Sequence, residues 1–290
     1  MKLVAALLSL IISASAVTVV LQNSVPAESL DDLRAEFTVD TVSSDLDYAY
    51  WAPEAEDLSE KCPLVVYIHG RLHGWTSTSY LEDNYMPYWI TDEMQSGFSE
   101  GGAHILLVRI PETLPTVFRI EQINSTIMDY VNDNPEIDRN KILLIGSSAG
   151  GGAVWKLLTK YPGKFASAVI CCSTVVPSKT DIAKAGNTPI WLVSAKKDEL
   201  INYTLNQKVA WNNLKAASKV PSQCRQTLFN DKVVFCDGEK ALLHHSLANT
   251  LGFGLLDFYG SPLPDTVTTN GKGAAVTNNG IVAWFEDIVN

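Results

Sequence analysis

Charge is scarce in this 290-residue sequence, and most of what there is has one sign. Charged residues make up 19% of the chain, with 22 basic against 32 acidic, for a formal net charge of −10. That balance argues against nucleic acid or an anionic membrane surface as a partner. Internal repeats, long charge runs and low-complexity tracts are absent, which speaks against a repeat architecture or a disordered tail. Histidine and cysteine are also sparse, five of each. Neither shows the spacing of zinc ligands, so no metal site is expected. Beyond the first 21 residues no run is long and apolar enough to span a bilayer, so no stable membrane insertion is expected. What the chain does have is 46% hydrophobic residues. That suffices to bury a sizeable core in one large domain or two small ones.

The N-terminus reads as a targeting segment. Met1-Lys2 is a short basic region, Leu3 to Ile12 is apolar, and Ala14-Ser15-Ala16 fits a cleavage site, as in a secretory signal peptide. The expected division is a signal peptide over 1–16, an extension over 17–34 and a catalytic domain over 35–290. An uncleaved anchor is the alternative, since apolar character continues from Val17 to Leu21. Export to an extracellular setting changes how the cysteines read. Cys224 and Cys236 flank two β-type runs around Asn230, which predicts a cross-strand disulfide. Adjacent Cys171 and Cys172 lie in an apolar run and read as buried thiols; Cys62 begins a strand. Asn124 and Asn202 head glycosylation sequons.

Along the chain, β-type runs alternate with helical periods. Residues 35–42 and 47–51 predict a hairpin. Strands are expected at Cys62–His69, His104–Ile110, Lys141–Ile145, Ala166–Cys172, Pro189–Ser194 and Asp231–Cys236. Helices are expected at Glu121–Asn132, Gly151–Tyr161, Tyr203–Ser218 and Ile281–Ile288. Such alternation predicts an α/β fold with a mostly parallel sheet and helices on both faces. Ligands bind beyond the carboxyl ends of such strands, and the candidate residues lie just after them.

Gly146-Ser147-Ser148-Ala149-Gly150 sits between a strand and a helix, the setting a nucleophile elbow requires. A serine hydroxyl needs a base and a group that orients the base. Asp198 follows the strand Ile190–Ser194 in the run Ser194-Ala-Lys-Lys-Asp198. His244 and His245 come later, in the hydrolase order Ser, Asp, His; one of the two should supply the base. The backbone N–H groups of Ala149 and Arg71 are the expected oxyanion hole, since Tyr67-Ile-His-Gly-Arg71 leaves a strand end. His69, Gly70 and Trp75 border that loop and are candidate substrate contacts. The segment from Trp75 to Trp89 is rich in aromatics, some expected in the core and one or two lining a pocket.

These pieces resemble the α/β-hydrolase superfamily, in particular small secreted esterases of the feruloyl-esterase, polyhydroxybutyrate-depolymerase and prolyl-oligopeptidase-catalytic-domain type. The resemblance is carried by Tyr48-Ala-Tyr-Trp-Ala-Pro53, Pro63–Gly70, Ile142–Gly151, Pro189–Asp198 and His244-His-Ser246. Ser246 aligns His244 with the family base, with His245 as runner-up because the usual preceding glycine and following aromatic are missing. The intervals from Ser148 to Asp198 and from Asp198 to His244 leave no room for a large lid domain. The resemblance implies a secreted serine esterase working through an acyl-enzyme on small-molecule or polysaccharide-linked esters, with no cofactor. A peptidase with the same triad and a catalytically silent binding protein are the alternatives.

Overall fold

Every residue of Cys62–Ile68 is buried, and so are all those of His104–Val108, Ser167–Cys171 and Ile190–Ala195. Strands buried on both faces belong in the middle of a parallel sheet covered by helices on each side. The computed structural model has that architecture. It describes residues 19–20, 29–40, 46–54, 60–70, 81, 85–110, 119–230, 233–234, 243–256, 263 and 266–290.

In chain order the elements are β1 (Val19–Val20), α1 (Leu30–Ala35), β2 (Thr38–Asp40), β3 (Tyr48–Trp51) and β4 (Cys62–Ile68). A short 3-10 turn over Met86–Ile90 leads into α2 (Asp92–Gln95), β5 (His104–Val108), α3 (Ile120–Asp133) and β6 (Ile137–Ser147). Then come α4 (Ala149–Lys160), β7 (Ser167–Cys171), α5 (Lys179–Ala185), β8 (Ile190–Ala195), α6 (Gln207–Ala217) and β9 (Arg225–Phe229). The rest are β10 (Val233–Val234), α7 (Leu243–Thr250), β11 (Thr266–Asn270) and α8 (Gly280–Val289).

One nine-stranded sheet runs β11-β9-β8-β7-β6-β4-β5-β3-β2. Its centre, from β5 to β9, is parallel. The β2–β3 hairpin and β11 add antiparallel edges. Side chains alternate as a strand demands. Val65, Tyr67, Leu143 and Ile145 enter one core layer, closed by Leu33 of α1, Leu247 of α7 and Ile281, Trp284 and Phe285 of α8. Leu64, Val66, Ile68, Ile142 and Leu144 enter the other, closed by residues of α3, α4, α5 and α6. Each large side chain fully buried this way contributes about 1.5–3 kcal/mol. Pro63 is tolerated in this central strand because the β4–β6 register slips at its position, so its missing N–H leaves no ladder bond empty.

One expectation is overturned. Arg225–Phe229 and Asp231–Cys236 were expected to pair across Asn230. Instead β9 lies parallel to β8 and antiparallel to β11. Val233–Val234 pairs with Val19–Val20 in a separate two-stranded sheet. The cross-strand disulfide goes with the hairpin. Cys224 is a free, buried thiol, its sulfur 3.3 Å from Ser218 Oγ. Cys236 and residues 1–16 lie outside the described residues.

Candidate active site

The elbow is built by steric exclusion. A Cβ on Gly150 would lie 1.8 Å from the Ile68 carbonyl oxygen, and one on Gly146 would lie 2.6 Å from the Gly150 oxygen. Only glycine lets α4 start directly over the end of β4. Between them Ser148 is driven to φ 51, ψ −112, a conformation that costs a non-glycine residue about 1–3 kcal/mol. Backbone bonds hold it there, among them that of the Gly152 N–H to its oxygen at 3.1 Å. Ser148 N–H donates to the Cys171 oxygen at 2.9 Å, and Thr174 N–H donates to the Ser148 oxygen at 3.1 Å. Ser148 and Ala149 are half-buried, so both face an accessible space. Ser147 differs: it is buried, with its Oγ 3.0 Å from the Tyr67 hydroxyl. The Ala149 N–H heads α4, where no preceding turn supplies an acceptor.

Gly70 passes against the serine; a Cβ there would meet Ser148 Cβ at 3.1 Å. His69 braces that approach. Its Nε2 accepts the Ile110 N–H at 2.9 Å, which leaves the proton on Nδ1 to be donated to the Gly70 carbonyl. The imidazole thus ties the carboxyl ends of β4 and β5. Burial lowers its pKa to about 4, so the ring is neutral. Arg71, His73, Trp75 and Tyr80 lie outside the described residues. Of the aromatic segment, Trp89 is fully buried with its indole N–H on the Leu251 carbonyl. Tyr88 is buried and stacks on Phe253 at 5.0 Å. Both are core residues.

Asp198 and His244 are brought together. Asp198 Oδ1 accepts the N–H groups of Leu200 and Ile201 at 2.9 and 2.8 Å. Its two carboxylate oxygens lie 3.0 and 2.9 Å from His244 Nδ1. His244 shares its helix face with Leu247 and Leu251, at the i, i+3, i+7 spacing that lines one side of a helix. Both leucines are fully buried, so the sheet side of α7 carries the ring inward. His245 is the next residue on α7; its side chain lies outside the described residues. Burial works against a charged His244, but the bonds to Asp198 and Cys172 outweigh it and raise its pKa above the ordinary histidine value.

The other ring nitrogen meets a residue that the sequence reading treated only as a buried thiol. Cys172 Sγ lies 3.9 Å from His244 Nε2. Burial pushes this thiol's pKa up, while the contacts with Cys171 and His244 pull it down and prevail. Among the described residues Ser148 Oγ makes no hydrogen bond to the ring; such contacts commonly tighten only with substrate bound. Ser148 and His244 instead flank the same short segment, Cys171–Cys172. Ligand atoms of Cys172, Asp198 and His244 lie within 4.8 Å of one another and could hold a metal ion. Asp198 Oδ1 already accepts two N–H groups, and its Oδ2 faces the imidazole Nδ1.

A family model described as phospholipase/carboxylesterase matches residues 112–232, a stretch that includes Ser148 and Asp198 and stops short of His244. No curated protein matches the chain. Among solved structures the fold is similar to a thermostable esterase, with a TM-score of 0.59 and 19% identity over 76% of this chain. The match spans 62% of that esterase's length. It is similar also to Est1E from Butyrivibrio proteoclasticus, with a TM-score of 0.50 and 13% identity, covering 75% of this chain and 96% of that one. At such identities the likeness is one of fold. The protein has the α/β-hydrolase fold, and the family match supports a hydrolytic enzyme. No helix among the described residues is long and apolar enough to cross a membrane.

Proposed function

We propose that the protein is a serine hydrolase that cleaves carboxylic esters through an acyl-enzyme. The observation that carries this reading is the Asp198–His244 bond, together with a strained, half-buried Ser148 on an elbow of glycines that is held to the same Cys171–Cys172 segment His244 touches. In this reading Ser148 Oγ attacks the ester carbonyl and His244 Nε2 takes its proton. Asp198 holds the ring by Nδ1 and stabilises the imidazolium that forms. The Ala149 N–H, with that of Arg71, polarises the carbonyl oxygen. The alcohol leaves with the proton from His244, and a water activated by the same nitrogen releases the acid. None of these steps requires a cofactor.

Cys172 is the rival nucleophile beside the same imidazole, but it is fully buried, whereas Ser148 is half-buried. Substrates are short or exposed esters, and the N-terminal signal pattern supports export. A fluorophosphonate should label one residue, Ser148, stoichiometrically, and ester hydrolysis should fall as the acyl chain lengthens from acetyl to palmitoyl. Absence of label with no hydrolysis across such a panel would remove the enzyme reading. N-terminal sequencing of the exported protein tests cleavage after Ala16.

A further inference from the structure

At the end of β7 the strand alternation fails. Neighbouring residues of a strand point to opposite faces, yet Cys171 and Cys172 both lie in the core layer that holds Leu247 of α7. The cause is the Cys172 backbone at φ 37, strained for a residue with a Cβ. The kink brings the two sulfurs to 3.5 Å and sets one of them 3.9 Å from His244 Nε2. The peptide unit between them also holds the elbow. Its carbonyl accepts the Ser148 N–H, and its N–H donates to the Val193 oxygen at 2.9 Å.

We propose that Cys171 and Cys172 form an oxidation site, converted by small hydroperoxides to a vicinal disulfide that disarms the neighbouring hydrolytic centre. The disarming rests on the serine-hydrolase reading; the oxidation does not. The Cys172 sulfur attacks one oxygen of the hydroperoxide and the O–O bond breaks. The proton shared with His244 passes to the departing oxygen, which leaves as water or an alcohol, and Cys172 becomes a sulfenic acid. The Cys171 sulfur then attacks the Cys172 sulfur, the S–O bond breaks, and hydroxide leaves with the Cys171 proton as water. Two thiols lose two electrons and two protons, and the hydroperoxide takes up both. The contact with His244 favours the thiolate that makes Cys172 the attacking sulfur. Full burial of both side chains restricts the site to oxidants of about the size of hydrogen peroxide.

Adjacent Cα atoms are about 3.8 Å apart across a trans peptide, less than the roughly 4.4–6.8 Å usual between bridged cysteines. The disulfide is therefore strained and readily reduced, the mark of a labile rather than a structural bond. Closing the ring draws Cys172 away from His244. It also twists the peptide whose carbonyl holds the Ser148 N–H, so base and nucleophile are disturbed together.

The test exposes reduced protein to hydrogen peroxide and follows three readouts: the mass of the peptide bearing Cys171 and Cys172, fluorophosphonate labelling, and ester hydrolysis. That peptide should lose two hydrogens. Labelling and hydrolysis should fall at least tenfold in step with that loss, and dithiothreitol should restore all three. In Cys171→Ala and Cys171→Ser the peptide should gain oxygen instead, because the second thiol is missing. An unchanged wild-type peptide mass after oxidation would overturn the proposal even if neither variant folds. So would a fully crosslinked protein that keeps its activity. If the reduced protein neither hydrolyses esters nor takes the label, the hydrolase reading fails separately, and the peptide mass still decides the oxidation site.

Discussion

Gly150→Ala should lower activity by about 100-fold while the protein still folds. The added Cβ would sit 1.8 Å from the Ile68 oxygen and 2.5 Å from the His69 oxygen, where real Cβ contacts essentially never fall below 3.0 Å. Something must therefore retreat by about 1.2 Å, the difference between these distances. β4 cannot, since it is hydrogen-bonded to β5 on one side and β6 on the other. The first turn of α4 has to move, and it carries Ser148 and the Ala149 N–H with it. Overpacking of this kind costs about 1–3 kcal/mol of stability, which a domain with several kcal/mol in hand survives. Displacing reacting groups by about 1 Å costs about 100-fold in rate. The comparison is Gly163→Ala, at the far end of α4, where nothing lies within 4 Å but φ is +74. It should lose about 1–2 kcal/mol from the left-handed backbone alone and leave kcat/KM unchanged. The assays are kcat/KM on a short-chain chromogenic ester and urea unfolding of all three proteins. A folded Gly150→Ala protein with kcat/KM within about twofold of wild type would refute the argument that steric exclusion at β4 sets the nucleophile's position.

Ser148→Ala should lower kcat by about 10⁴-fold or more. Ser147→Ala should mainly cost stability, about 1–3 kcal/mol, by leaving the buried Tyr67 hydroxyl without its partner; equal rate losses in the two variants would sink the Ser148 assignment. Asp198→Asn should lower kcat by about 10⁴-fold and move the acid limb of the kcat/KM profile to lower pH, because the bond to Asp198 helps to raise the His244 pKa; an unmoved limb counts against the pair. Burial lowers the pKa values of His69 and His104 from 6.5 to about 4. Between those values the unfolded chain binds the extra protons, so stability held above pH 6.5 should fall toward pH 4 by about 1.4 kcal/mol per pH unit for each ring. A denaturation midpoint that stays flat over that range would show that the rings are not buried neutral.

The parallel core was legible because it rests on local pattern. Strands buried on both faces appear as apolar runs, and the helices between them keep their own period. The elements that were missed lack such marks. β11 is Thr-Val-Thr-Thr-Asn, half-exposed at a sheet edge, and its partner β9 lies more than thirty residues earlier. Helix α5 did carry a signal, the reciprocal Ser178–Asp181 capping box, at a spacing that marks a helix start. The hairpin around Asn230 failed for the opposite reason. Two β-type runs about a turn look local, while the parallel pairing of β9 with β8 leaves no trace in the segment itself.

The candidate site divides the same way. Its elbow was readable since the demand for glycine on either side of Ser148 is steric and confined to five residues. His244 was separable from His245 by the face it shares with Leu247 and Leu251, a spacing that the match to Ser246 does not use. Nothing in the residue types announced Cys172. Its approach to His244 depends on a left-handed kink at a non-glycine strand end, for which sequence offers no rule. That proximity changes how the nucleophile must be argued. A thiol beside an imidazole is intrinsically the stronger nucleophile, so reactivity alone would favour Cys172 over Ser148. Access decides the other way: the thiol has no exposed surface, and the serine is turned out of the sheet by its own strained backbone. The buried sulfur is thus left with chemistry that a small oxidant can reach and an ester cannot.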